Sequence, residues 1–145
     1  MPRSVVSVAI KRPVEDVFAV VSDPTNTPKW NSTLLSATKT SDGPTRVGTT
    51  VQSTGKMFGR QLETHFTVTE FEVNRRFAVT ATKPFPLTMT LALEPTADGT
   101  RVDLTADVEP GGFFKLASPL MVRMGKRQNQ SNLENLREML EAKAL

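Results

Sequence analysis

The chain of 145 residues is 38% hydrophobic and 23% charged, ordinary proportions for a globular protein, and that length buries a core without covalent staples. The absence of Cys excludes disulfides, thiol nucleophiles and thiolate metal sites, and no apolar run approaches the ~18 residues of a membrane-spanning helix. A formal net charge of +3, with basic residues clustered only at Arg123, Lys126 and Arg127, disfavours a nucleic-acid partner and fits a solvated helix face.

No repeat, low-complexity tract or linker divides the chain, so residues 1–145 read as one domain. Its start, Met1-Pro2-Arg3-Ser4-Val5-Val6, is already strand-like; no signal peptide is expected, and the chain reads as cytoplasmic. The acceptor triplet Asn31-Ser32-Thr33 is then a chance match.

Val5 to Ile10 predicts a first strand. Pro13 opens a helix with Glu15 and Asp16 in its first turn and an apolar stripe of Val14, Val17, Phe18 and Val21. Asp23 as N-cap and Pro24 at the first position start a second, short helix ending near Trp30. The period then changes to two. Strands are expected over Leu35–Thr40, Val47–Thr54, Phe58–Val73, Phe77–Thr82, from Leu87, and from Val102 to Val108. Asp98-Gly99 marks the last hairpin. Within Phe58–Val73, Phe58, Leu62, Phe66 and Val68 share one parity and Phe71 and Val73 the other, which predicts a bulge near Thr69.

After Glu109-Pro110-Gly111-Gly112 comes one helical pattern to Leu145. Met121, Met124, Leu136 and Met139 fall on one face, with Gln128 and Asn132 between them, and Gly125 leaves space where a side chain would fill it. An apolar stripe with a polar gap suits a helix over a hollow better than one over a solid core. The hairpin signals make the sheet antiparallel, and its apolar face must be covered. The expected class is α+β: a curved seven-stranded antiparallel sheet, two short helices after the first strand, and a long C-terminal helix.

This order of elements resembles the START-like helix-grip superfamily, and within it the polyketide cyclase/dehydrase and lipid-transport branch, also called SRPBCC proteins. The motifs that carry the resemblance are Arg12-Pro13-Val14-Glu15-Asp16-Val17-Phe18, Ser22-Asp23-Pro24, Pro28-Lys29-Trp30, the strand Val68 to Phe77, and Pro119-Leu120 followed by Leu133-Glu134-Asn135-Leu136-Arg137. Their order and spacing span essentially the whole chain. The resemblance implies a hydrophobic pocket between the sheet and the C-terminal helix that receives lipids, polyketides or aromatics, and it implies no single reaction.

Candidate ligand-binding residues follow from parity and position. Phe58 and Phe66 are candidates on the apolar parity of their strand, and Arg60, which shares that parity, is placed at the pocket mouth or snorkelling to water. Trp30 is a candidate for core packing, pocket lining or both. Met57 and Phe85 sit at turns, where apolar residues are unusual, and are candidate gates. Met89, Met121 and Met124 offer a pliable wall, and Gln128 and Asn132 offer amides that must be satisfied by backbone, water or ligand. His65, the one imidazole, has the solvent parity and lies beside Glu63. No catalytic constellation stands out, and neither a Gly-rich phosphate loop nor a metal-ligand cluster is present, so no cofactor or metal is expected. The leading function is binding of a small hydrophobic molecule for carriage, sequestration or sensing. The competing function, a polyketide cyclase or dehydratase, requires a carboxylate or Lys of shifted pKa in the pocket.

Overall fold

The computed structural model describes residues 3–57, 59–82, 86–108 and 118–142. The chain runs β1 (Arg3–Ile10), α1 (Val14–Val21), a 3-10 turn (Pro24–Asn26), α2 (Thr27–Trp30), β2 (Leu34–Lys39), β3 (Thr50–Met57), β4 (Arg60–Glu72), β5 (Arg76–Ala81), β6 (Leu87–Pro95), β7 (Thr100–Val108) and α3 (Ser118–Glu141). The strands form one antiparallel sheet in the order β1-β7-β6-β5-β4-β3-β2, so every connection except that from β1 to β2 joins spatial neighbours. This is the helix-grip arrangement expected from the element order.

Local signals explain the helices. Pro13 precedes α1, where no N–H is required, and its carbonyl accepts from Val17 N at 3.2 Å. The Asp23 carboxylate accepts from Thr25 N at 3.0 Å, and Pro24 holds the first position of the 3-10 turn. The strand bounds differ from the period-two reading mainly at β3. It begins at Thr50 rather than Val47 and runs through Gly55 to Met57, because Gly55 keeps its pairing with Leu62. The bulge lies where the parity switch placed it. Val68 pairs with Val79 and Glu70 with the adjacent Ala78, which leaves Thr69 as the extra residue. That single insertion turns Phe71 inward, edge-on to Phe18 at 5.4 Å and to Phe77 at 6.2 Å between ring centroids.

The core is formed by the inward rows Val6, Val8 and Ile10 of β1, Val102 and Leu104 of β7, and Leu91 and Leu93 of β6, with Val17, Phe18 and Val21 of α1. Leu133, Leu136 and Leu140 of α3 are fully buried against them. Burial of each such side chain stabilises the fold by roughly 1.5–3 kcal/mol. The outer face is polar. Arg3 pairs with Asp107, and Ser7 and Arg101 both donate to Asp103. None of the described helices is long and apolar enough to cross a membrane.

Candidate functional site

A recess opens between the middle of the sheet and the segment from α1 to α2. The recess is partly open; about 90 Å³ of it is available to the centre of a water-sized sphere, several times what one water molecule needs, and counted out to open solvent it holds about 700 Å³. Strand register builds the wall. Phe77, Leu91 and Leu104 face one another across β5, β6 and β7; Val79 opposes Met89, and Val51 opposes Phe66. Ala37 and Ser53 extend the wall along the β2–β3 pair, and Val21, Pro24, Thr27, Trp30, Asn31 and Leu34 close it from the helical side. Twelve of these fifteen residues are apolar; the exceptions are Thr27, Asn31 and Ser53. No Asp, Glu, His, Lys or Arg is among the described lining residues.

The polar groups on this wall are few and mostly engaged. Asn31 Oδ1 accepts from Thr33 N at 3.0 Å and from Thr33 Oγ1 at 2.6 Å. Ser53, 2% exposed, makes a long contact of 3.5 Å with the Thr64 carbonyl. Trp30 is 5% exposed, and its Nε1 is buried with no hydrogen-bond partner among the described residues.

The expected site residues divide into four groups. Trp30, Phe66 and Met89 line the recess together. Phe58 and Phe85 lie outside the described residues, as do the side chains of Met57 and Met121. Arg60 begins β4 opposite Met57 and is exposed, so it snorkels to water, as a long cation at a strand end does. Met124 is 62% exposed and is not among the described lining residues; the α3 turn that carries it, with Arg123, Gly125, Lys126 and Arg127, faces solvent throughout. A Cβ on Gly125 meets nothing within 4 Å, so the space beside it is solvent-exposed.

Gln128 and Asn132 form the last group, and neither is among the described lining residues. Asn132, 1% exposed, accepts from Ser32 N at 3.2 Å and from Gln128 Nε2 at 2.9 Å. Gln128 Nε2 also reaches Ser32 Oγ at 2.8 Å, and Asn135 Nδ2 donates to the Trp30 carbonyl at 3.2 Å. The polar gap in the α3 stripe is therefore a clasp on residues 30–32, the corner between α2 and β2. No described α3 residue lines the recess. The residues that sequence reasoning passed over, such as Val51, Val79 and Leu91, carry the same inward parity as Phe66 and Met89. Pairing the hairpins in register would have placed them on the same wall.

Outside the recess several titratable groups form surface pairs. Arg76 bonds Glu70 at 3.2 Å, which raises its pKa above the usual guanidinium value, and Asp107 does the same for Arg3. His65 Nε2 lies 3.0 Å from Glu63 on the solvent face. Among the described residues no group of three His, Cys, Asp or Glu side chains could hold a metal ion.

Comparisons with known proteins agree with this architecture. TTHA0849 from Thermus thermophilus superposes with a TM-score of 0.83 at 19% identity, over 99% of this chain and 100% of that one. SA2116 from Staphylococcus aureus, a protein of unknown function, superposes with a TM-score of 0.78 at 8% identity, over 98% and 94% of the two chains. The di-domain ARO/CYC BexL of the BE-7585A biosynthetic pathway superposes with a TM-score of 0.78 at 16% identity, over 97% of this chain and 47% of its own. At these identities the likeness is one of fold. No curated protein sequence matches the chain. The sequence profile described as polyketide cyclase / dehydrase and lipid transport matches residues 1–141, and the chain belongs to that family.

Proposed function

We propose that the protein binds a small, largely apolar molecule in the recess beneath α2, for carriage, sequestration or sensing. The observation that supports this reading is a hollow walled by twelve apolar side chains between the sheet and the α1–α2 segment. Such a hollow offers affinity through burial at roughly 25 cal/mol per Å² of apolar surface. A ketide cyclisation or dehydration needs a group that gives or takes a proton beside the reacting carbon. The described wall supplies hydroxyl, amide and indole groups and no carboxylate, imidazole or ammonium, which favours binding over catalysis.

The test is native mass spectrometry, with solvent extraction, of the natural protein and of Val79→Phe. Val79 lies mid-wall on β5, so the larger ring projects into the hollow. The natural protein is expected to release a discrete apolar compound. The variant is expected to lose most of it while keeping its circular dichroism. Equal occupancy in both proteins, or no guest in any preparation, would overturn the proposal.

A further inference from the structure

The first half of α3 carries two exposed apolar side chains set among cations. Leu120, Arg123, Met124, Lys126 and Arg127 are all exposed. At 3.6 residues per turn, Leu120, Arg123, Met124 and Arg127 fall within an arc of roughly 100°, and Lys126 flanks it. Leu133, Leu136 and Leu140, which bury the second half of the helix, lie on the opposite side. Between Ser118 and Leu133 the helix has no Asp or Glu, and none of the three cations forms an ion pair with a described residue. Further along, the same outward side turns acidic at Glu134, Glu138 and Glu141. Charge is thus separated along the helix, and only its first half suits an anionic partner. Cations alone fit any polyanion; the apolar pair among them selects. Against a nucleic-acid backbone Leu120 and Met124 would bury nothing. At a bilayer surface they enter the acyl boundary while Arg and Lys meet the headgroups. A second copy fits less well: an antiparallel α3 that set its Glu138 and Glu134 against Arg123 and Arg127 would lay its Glu141 against Leu120.

We propose that the first half of α3 docks the protein on an anionic lipid surface. Leu120 and Met124 enter the interface, and Arg123, Lys126 and Arg127 meet headgroup phosphates; the helix lies on the bilayer and does not cross it. Gln128, next in sequence, bonds Ser32, so the docking turn adjoins the corner that carries Trp30 and Asn31 of the recess wall. The docking face needs no guest in the recess, and it stands or falls separately from the binding function.

The test is flotation of the full chain with vesicles of phosphatidylcholine, alone or with one-third phosphatidylglycerol. The natural protein is expected to prefer the anionic vesicles on the order of 100-fold, at about fivefold per cation, and raised salt should weaken that preference. The triple variant Arg123→Gln, Lys126→Gln, Arg127→Gln is expected to lose it. The double variant Leu120→Ser, Met124→Ser changes only exposed positions. It is expected to keep its circular dichroism and melting temperature and to bind the anionic vesicles about tenfold more weakly. No flotation, equal binding to both vesicles, or a double variant that floats as well as the natural protein would overturn the proposal. Duplex DNA binding that exceeds vesicle binding and ignores the double substitution would assign the face to nucleic acid instead. Sedimentation showing a dimer that the double substitution dissolves would assign it to a second copy. Either result would overturn lipid docking, and each leaves the apolar pocket standing.

Discussion

Glycine and amide positions show how strongly single residues depend on their surroundings. A Cβ at Gly99 would lie 2.1 Å from the Ile10 carbonyl oxygen and 2.9 Å from Arg12 N, because the β6–β7 turn packs against the backbone leaving β1. Gly99→Ala is expected to destabilise the protein by roughly 1–3 kcal/mol or more, read as a lower denaturant midpoint. Gly125 is the opposite case. With nothing within 4 Å of its would-be Cβ, Gly125→Ala is expected to stabilise by about 0.5–1 kcal/mol, since a solvated helix interior prefers Ala. A larger residue there cannot fill the hollow, because Gly125 is exposed on α3. Asn132 is 1% exposed, whereas Ser32, whose N–H it accepts from, is exposed and can turn to water, so Asn132→Ala is expected to cost about 0.5–1.5 kcal/mol in equilibrium unfolding, the net worth of one hydrogen bond. Gln128→Ala, at a half-buried site, should cost less.

At the scale of elements, α3 is two helices in energetic terms. Its second half buries Leu133, Leu136 and Leu140, whereas Leu120 and Met124 in the first half are 61% and 62% exposed. Leu136→Ala should therefore cost about 2–5 kcal/mol, and Leu120→Ala less than about 0.5 kcal/mol. A comparable loss at both positions would show the first half packed after all. The end of α3 is tied to the start of α1. Arg12 bonds the Leu140 carbonyl and, at 2.9 Å, Asp16, and the Glu141 carboxylate accepts from Lys11 N at 3.0 Å. Arg12→Ala is expected to raise amide hydrogen exchange in the last turn of α3, with a global cost of about 1 kcal/mol because the ion pair is partly solvated. Much at this scale was legible in the sequence. The helix starts at Pro13 and Pro24, the bulge at Thr69 and the Asp98-Gly99 hairpin all rest on local chemistry. The start of β3 was less so, since a strand end depends on which partner residue remains to pair with.

For the whole molecule, a bound guest adds its linkage energy to the fold. A guest held at about a hundred times its Kd stabilises by about 2.7 kcal/mol. Stripping it should lower Tm by several degrees, and calorimetry before and after extraction measures the difference. The sequence by itself determined the element order, the antiparallel pairing and the solvent-facing parity of His65, because periodicity and turn chemistry act over a few residues. It also placed Phe66 and Met89 on the inward face. Tertiary structure alone decided what the polar gap of α3 does. Gln128, Asn132 and Asn135 lie about a hundred residues from Ser32 and Trp30 in the chain, and no local pattern announces that they will clasp that corner. The same holds for the recess. Its wall is a coincidence of register across six strands with the approach angle of a single turn of helix, and a hollow appears only where those long-range placements fail to meet.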